Sequence, residues 1–465
     1  MINIEQDAGN IKISYFNKEG EIEVSTIPIE NSQRYDWVDS IAGKYDPTIK
    51  SWDNKRVKKS KSFYLSNWRV IEIMEMQPQH VKDKIYQQNE PKKFFLDIET
   101  EVIDGFPDAN LAKEKIQLIQ FAYNDIVGVL GFKELKPEAV KKIESKINEY
   151  LNEHDYPPIK FMYIKFESEY DMLYAFFHKY IQKMPLISGW NVIDFDWKFL
   201  INRAKRLEID PGVASLTGKL IGRDNLPVHR LIVDYMEIYK KWDKVVFKEN
   251  NTLDYVAKAA TGMGKIKYSG SLQQLYEEDF FTYVHYGAID PILVKLIDQE
   301  ISTINVYFAL SDISFTPLYR VFSPIAMTEN VLVREFLKRG KVVPNRNVKP
   351  KKAEYEGAYV FTPKSDLYEW VASFDFASLY PSIMRQWNMS PESFREKNQE
   401  IKKEIFENIN ENLIAATTGA IFDKDYDSAF RTVLSDFYGR RKSTKQKMKE
   451  VDIEIQEIEK MLQKN

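Results

Sequence analysis

SFDFASLYPSIMRQWNMSP, residues Ser373 to Pro391, joins a β-type run to a helix-capable segment through a turn. The preceding Val371-Ala-Ser-Phe is strand-like, so Asp375 is expected at or just past a strand end, where a fixed carboxylate faces a cleft. Pro381 holds Tyr380 in an extended or turn conformation and starts a helix, with Ser378 available as its cap. A generic Asp-x-x-Ser in such a setting is most simply a strand, a turn and a core helix with one solvated carboxylate. The whole string is far rarer than that, so the rest of the chain must decide what Asp375 is for.

At 465 residues and 44% hydrophobic composition the chain can bury several cores, and about two to four domains are expected. Cysteine is absent, which excludes a disulfide framework and thiolate metal sites. Any metal must be held by oxygen ligands or by the 5 histidines, which favours hard cations such as Mg²⁺. The opening MINIEQDAGN has no basic region followed by an apolar run, and no stretch is apolar enough to span a bilayer. A soluble protein of the cytoplasm, neither secreted nor membrane-bound, is therefore expected. The net charge of -3 excludes a globally basic nucleic-acid binder, so basic residues must be clustered if DNA is the substrate. They are clustered, in Lys55 to Lys61, in Arg334 to Lys352 and in Arg440 to Lys449. Any one such run is more often a solvated face than a binding site.

Residues 1 to about 90 alternate short β-type runs with polar turns, as in a mostly β domain. The character changes at Lys92. Phe94-Phe-Leu-Asp-Ile-Glu-Thr is an apolar strand interrupted by Asp97 and Glu99, which share one face because side chains repeat every two residues. Two neighbouring carboxylates on a buried strand repel and lose solvation unless a cation neutralises them, so a metal site is the better account. Helix-capable and strand-capable segments then alternate to about residue 300, as in an α/β domain. Asn191 and Asp196 lie in one of these segments. Tyr286 and Asp290, four apart, share one face of a helix. Taken singly, these residues read as an ordinary cap and an ordinary Tyr/Asp hydrogen bond.

Taken in order, DxE, NxxxFD and YxxxD resemble the three exonuclease motifs of family B DNA polymerases, and the DFASLYPSI string resembles the first palm motif of the same family, as in T-even-like phages. The resemblance covers about residues 92 to 450 and implies a fold of mixed α/β and α+β domains. These are a mostly β N-terminal domain at 1–91, to which 301–343 returns; an RNase H-like 3′-5′ exonuclease domain at 92–300; part of the palm at 344–430; and the first fingers helix at 431–465. Hydrolysing a phosphodiester at a 3′ end takes two divalent ions about 3.5–4 Å apart. The resemblance gives Asp97, Glu99, Asp196 and Asp290 as their ligands and Tyr286 as the group that orients the attacking water. Lys265 and Lys267, in the Gly-rich loop GMGKIKYSG, are candidates to meet substrate phosphate, although a lysine in a turn is ordinarily just solvated. Gly218 to Leu231 matches the place of a strand-separating hairpin.

In the polymerase half the resemblance implies that Asp375 and the Phe376 carbonyl bind the catalytic ions, two Mg²⁺ or Mn²⁺ in each active site. Leu379 and Tyr380 would form the floor under the nucleotide sugar, with the Tyr380 ring excluding a 2′-hydroxyl. Tyr355 and Gly357, in a YxGA block, together with Asn191 and Lys267, are expected at DNA. Arg441 and Lys445, four apart on a helix, repel unless an anion lies between them, and the resemblance supplies the dNTP triphosphate. Met448, Val451, Ile455, Ile458 and Leu462 form an apolar seam of heptad type that calls for a second helix. Neither the KxxxNSxYG block nor the DTDS motif of the family occurs in the sequence. The expected identity is the N-terminal part of a phage polymerase, one subunit of a split enzyme, working on primer-template DNA and dNTPs in the host cytoplasm. A complementary C-terminal chain would supply the second fingers helix, the rest of the palm, the thumb and any contact with a sliding clamp. The alternative is a DNA- or RNA-binding regulator without catalysis, which has no need of four clustered carboxylates.

Overall fold

The computed structural model describes residues 3–7, 9–28, 34–37, 50–52, 57–60, 70–75, 77–86, 89–103, 105–242, 250–343, 359–397, 411–416 and 418–462. Tyr355 and Gly357, and much of the basic runs at Lys55 to Lys61 and Arg334 to Lys352, lie outside the described residues. The chain divides into two compact units, Met1–Asn31 with Gln77–Met327, and Ser32–Met76 with Thr328–Asn465. The first ninety residues are thus divided between the two units.

In the first unit, β1 (Asn3–Asp7), β2 (Asn10–Phe16) and β3 (Ile22–Pro28) form an antiparallel sheet. A six-stranded mixed sheet follows from β4 (Lys93–Thr100), β5 (Ile116–Tyr123), β6 (Ile126–Gly131), β7 (Lys160–Lys165), β8 (Leu186–Gly189) and β9 (Leu231–Asp234). Its order is β7-β6-β5-β4-β8-β9, with β5 antiparallel to both neighbours and β4, β8 and β9 parallel. The apolar run of β4 needs cover on both faces, and it has it. Phe94, Leu96 and Ile98 join one core with Trp197, Phe199 and Leu200; Phe95 joins the other with Val284, Ala288 and Ile292.

Three helices matter most here: α1 (Lys198–Arg206), α2 (Leu253–Thr261) and α3 (Phe280–Ile301). Helix α3 is apolar around its whole circumference and is buried from Tyr283 to Asp298 except at Lys295, which is what a helix laid centrally on a sheet requires. Asp279 caps it by accepting from the Thr282 N–H. A short hairpin pairs Leu220–Ile221 with Leu226–Pro227 inside the segment expected to separate strands. Phe308 meets Phe16 at 5.7 Å, and Phe315 meets Tyr86 at 5.2 Å.

In the second unit, Trp52 packs edge-on to Phe336, and Lys341–Val342 pairs in parallel with Lys50–Ser51. Strands β10 (Phe394–Lys397), β11 (Leu413–Ala415) and β12 (Ala420–Asp423) form an antiparallel sheet with β12 central. Helix α4 (Leu379–Gln386) packs on the first turns of the 34-residue α5 (Ala429–Leu462). A buried polar knot fixes the base of α5: Glu392 accepts from the Ala429 N–H at 2.6 Å, and Asn388 donates to the carbonyls of Asp423 and Tyr426.

One expectation is corrected here. Val371–Phe374 is not a strand; it belongs to an exposed irregular segment, and no described strand pairs with it. β-Propensity expresses a fit to neighbouring strands, and without a partner ladder the same residues take no regular form. No described helix is long and apolar enough to cross a membrane.

Candidate active site

The alternation of β4 sends Asp97 and Glu99 to the face covered by α3, and Asp290 approaches from that helix. One carboxylate oxygen from each of the three lies within 4.8 Å of the others. Glu99 and Asp290 are buried, and Asp97 is partly accessible. The approach of α3 to the sheet depends on Gly287, where a Cβ would fall 2.4 Å from the Gln120 side-chain amide and 3.3 Å from Glu99 Cγ. Pro291, directly after Asp290, has no N–H to give the Gly287 carbonyl, so the helix is locally freed of one backbone bond beside the carboxylates.

Asp196 arrives differently. After β8, Asn191 takes a left-handed conformation (φ 61°) and the chain enters a π-helical turn, Ile193–Trp197, ahead of α1. Asp234, at the end of β9, accepts from the Ile193 N–H at 3.1 Å and holds the start of this turn. Asp196 is buried, and its Oδ1 accepts from the Ile98 N–H at 3.0 Å, on the β4 backbone between Asp97 and Glu99. It therefore abuts the triad of carboxylates through the strand.

Crowding sets the electrostatics. Burial, then the charge of Asp290, pushes the Asp97 carboxyl up to about 8, against the opposing pull of Lys265. Burial and the neighbouring carboxylates likewise raise Glu99 and Asp196. Burial also raises Asp290, with Lys265 opposing. Asp290 Oδ2 receives Lys265 Nζ at 2.5 Å, whereas its Oδ1 is buried without a hydrogen-bond partner. The same ammonium lies 3.5 Å from the Tyr286 hydroxyl, one turn before Asp290, and Tyr268 packs edge-on against the Tyr286 ring. Burial would lower Lys265, yet Asp290, Tyr286 and Asp97 hold it well above its ordinary value. One ammonium beside the carboxylates of Asp97, Glu99 and Asp290 leaves the cluster short of positive charge, and the orphaned Asp290 oxygen fits a further cation.

The Gly-rich loop is thus represented at the carboxylates by Lys265, while Lys267 is exposed. Sequence reasoning passed over Gln120, Gly287 and Asp234. Asp234 carried a signal, since Leu231-Ile-Val-Asp repeats the apolar-run-then-acid pattern of β4.

In the second unit Asp375 is exposed, as are Phe376, Leu379 and Tyr380. Ser378 sits at the start of α4 with φ 54° and makes no side-chain cap; its hydroxyl instead accepts from Arg441 Nη1 at 2.9 Å. Arg385 bonds Ser435 and stacks its guanidinium over Tyr438, fastening α4 to α5. Arg441 is brought within reach of the Asp375 loop, and Lys445 is exposed one turn further along α5.

Two family models match the chain: "DNA polymerase family B, exonuclease domain" over residues 49–249, and "DNA polymerase family B" over residues 324–464. The chain belongs to DNA polymerase family B. Among its family B relatives, the DNA-directed DNA polymerase of Escherichia phage RB69 is 28% identical over 375 residues, 75% of this chain and 41% of that protein. The DNA-directed DNA polymerase of Enterobacteria phage T4 is 29% identical over 324 residues, 65% of this chain and 36% of that protein. A DNA polymerase of Archaeoglobus fulgidus is 28% identical over 287 residues, 58% of this chain and 33% of that protein. The chain therefore spans well under half the length of these family B proteins. The exonuclease match ends at residue 249, and beyond it the carboxylate cluster brings Asp290 together with Asp97 and Glu99.

Proposed function

We propose that the first unit is a 3′-5′ exonuclease acting on primer-template DNA, with Asp97, Glu99, Asp196 and Asp290 as its metal-binding carboxylates. The supporting observation is the convergence of Asp97, Glu99 and Asp290 within 4.8 Å, with Asp196 bonded to the intervening Ile98 N–H. Two divalent ions held by these residues, Mg²⁺ or Mn²⁺, would supply an activated water and charge stabilisation at the leaving oxygen. The protein's own groups do the rest. Tyr286 keeps its phenol protonated, because burial and then the charge of Asp290 raise it, so its hydroxyl is available to orient water. Lys265 screens Asp290, and its ammonium would be available to a substrate phosphate at the cluster. Asn191 and Lys267 are assigned to the DNA strand.

The second unit is proposed as the beginning of a polymerase site. Asp375 and the Phe376 carbonyl would hold ions, Leu379 and Tyr380 would underlie the sugar, Arg441 and Lys445 would grip the dNTP triphosphate, and Tyr355 and Gly357 would meet template. The support is the Arg441–Ser378 bond three residues from Asp375 and the exposed seam of α5. One carboxylate does not hold two ions. Polymerisation is proposed to need a complementary polypeptide with the second palm carboxylate, second fingers helix and thumb, through which any sliding clamp would be met. The phage relatives make the host cytoplasm the proposed place of action. A 5′-labelled primer-template with these 465 residues in Mg²⁺, with and without dNTPs, tests both readings. Shortening without extension is expected, with extension appearing once the complementary polypeptide is added. Extension without it would overturn the second reading, and absence of shortening in either condition would overturn the first.

A further inference from the structure

A cavity of about 700 Å³ opens at the beginning of strands β4, β8 and β9, away from the carboxylates. Phe94 lines it, and because Phe94 is an odd number of residues from Asp97 the cavity is on the opposite face of the sheet. Its wall is aromatic: Phe94 and Tyr123 stack at 4.3 Å with 7° between their rings, and Phe121 and Tyr180 flank them. Its cations, Lys92, Lys183 and Arg230, outnumber its one carboxylate, Glu21, which is already paired with Lys92. Lys183 is exposed.

Arg230 is only 4% exposed and forms no ion pair among the described residues. Its Nε donates to the Ala214 carbonyl at 2.7 Å and its Nη1 to the Met184 carbonyl, but its Nη2 is buried with no acceptor among the described residues. A guanidinium that only clasped two carbonyls would account for Nε and Nη1. It would not account for the unused Nη2, the stacked rings or a volume within the range of about 300–1,000 Å³ typical of small-molecule sites. A buried cation without a counter-charge is costly, and an anion at the cavity would relieve that cost.

We propose that this cavity is a second ligand site for a small planar anion of the nucleoside monophosphate type. The aromatic wall takes the base, and Lys183 and Arg230 face the phosphate. The assignment is independent of the exonuclease reading. It is tested by calorimetric titration of dAMP into all 465 residues carrying Asp97→Ala and Glu99→Ala, with EDTA present, beside titrations of deoxyadenosine and inorganic phosphate. Saturable one-to-one binding of dAMP, at least tenfold tighter than either fragment, is expected. Lys183→Glu and Tyr123→Ala, added singly with an unchanged circular dichroism spectrum, are each expected to weaken it at least tenfold. No saturation by dAMP, or binding indifferent to both substitutions, would overturn the site. Phosphate binding as tightly as dAMP would overturn the planar ligand. Arg230→Lys should also weaken binding; if that variant fails to fold, Lys183→Glu decides.

Discussion

Asp97 and Asp375 stand in opposite surroundings. Asp97 is pressed among Glu99, Asp290 and Asp196 beneath the largely buried helix α3, and its carboxyl is pushed up to about 8, first by burial. Asp375 sits in an exposed segment where Trp370 is 98% and Phe374 94% exposed. The first centre draws all its carboxylates from one unit and has already met the cost of burying them. The second has a single carboxylate, and the large side chains around it are uncovered. A site that is closed by its own core should be sensitive to any change that disturbs packing, while an open one should be sensitive only when its complement is present.

The sharpest way to break this contrast is Asp97→Ala with Glu99→Ala. Exonuclease rate should fall by about a thousandfold or more, since metal-borne stabilisation of several kcal/mol is lost at about 1.4 kcal/mol per decade, while the circular dichroism spectrum is retained. Gly287→Ala should come next. The new methyl meets the Gln120 amide and Glu99, and a loss of about 10- to 100-fold in nuclease rate is expected with a destabilisation of about 1–3 kcal/mol, read by urea unfolding. Arg441→Ala should leave the nuclease untouched and raise the dNTP KM about tenfold in the completed polymerase; an unchanged KM would remove Arg441 from that site.

The contrast also has a pH signature. A carboxyl whose folded value lies near 8, above the ordinary 3.8, favours the folded state while protonated and loses that contribution as pH rises toward 8. The metal-free protein should therefore melt at progressively lower temperature from about pH 4 to pH 8, and Asp97→Asn should flatten that slope. Mg²⁺ should raise the melting temperature most at the alkaline end, where the carboxylates are charged. The smallest effect is expected from Trp370→Ala, within about 0.5 kcal/mol of the parent in these 465 residues, because that ring is 98% exposed.

Much of the closed site was legible because it rests on periodicity. The spacing of Asp97 and Glu99 dictates a shared strand face, and that of Tyr286 and Asp290 a shared helix face. The bond from the Ile98 N–H to Asp196 was not legible, since it depends on a π-helical turn that no spacing announces. Nor could sequence distinguish Lys265 from Lys267, two residues apart in one loop. Val371–Phe374 misled for a related reason: strand propensity is a statement about neighbours, and the described neighbours are absent. The αL conformation of Ser378 and its role as acceptor for Arg441, in place of the expected cap, likewise had no signal in the spacing.

Helix α5 is anchored by the Glu392 and Asn388 knot at Ala429 and is exposed from Tyr438 to its last described turn. With a rise of about 1.5 Å per residue it is a lever about 50 Å long. A tilt of about 10° at its base carries Leu462 by about 9 Å but Arg441 by only about 3 Å, comparable to one hydrogen-bond length. The bond from Arg441 to the Ser378 hydroxyl therefore acts as a gauge of that tilt, breaking at a small rotation long before the knot at the base is disturbed.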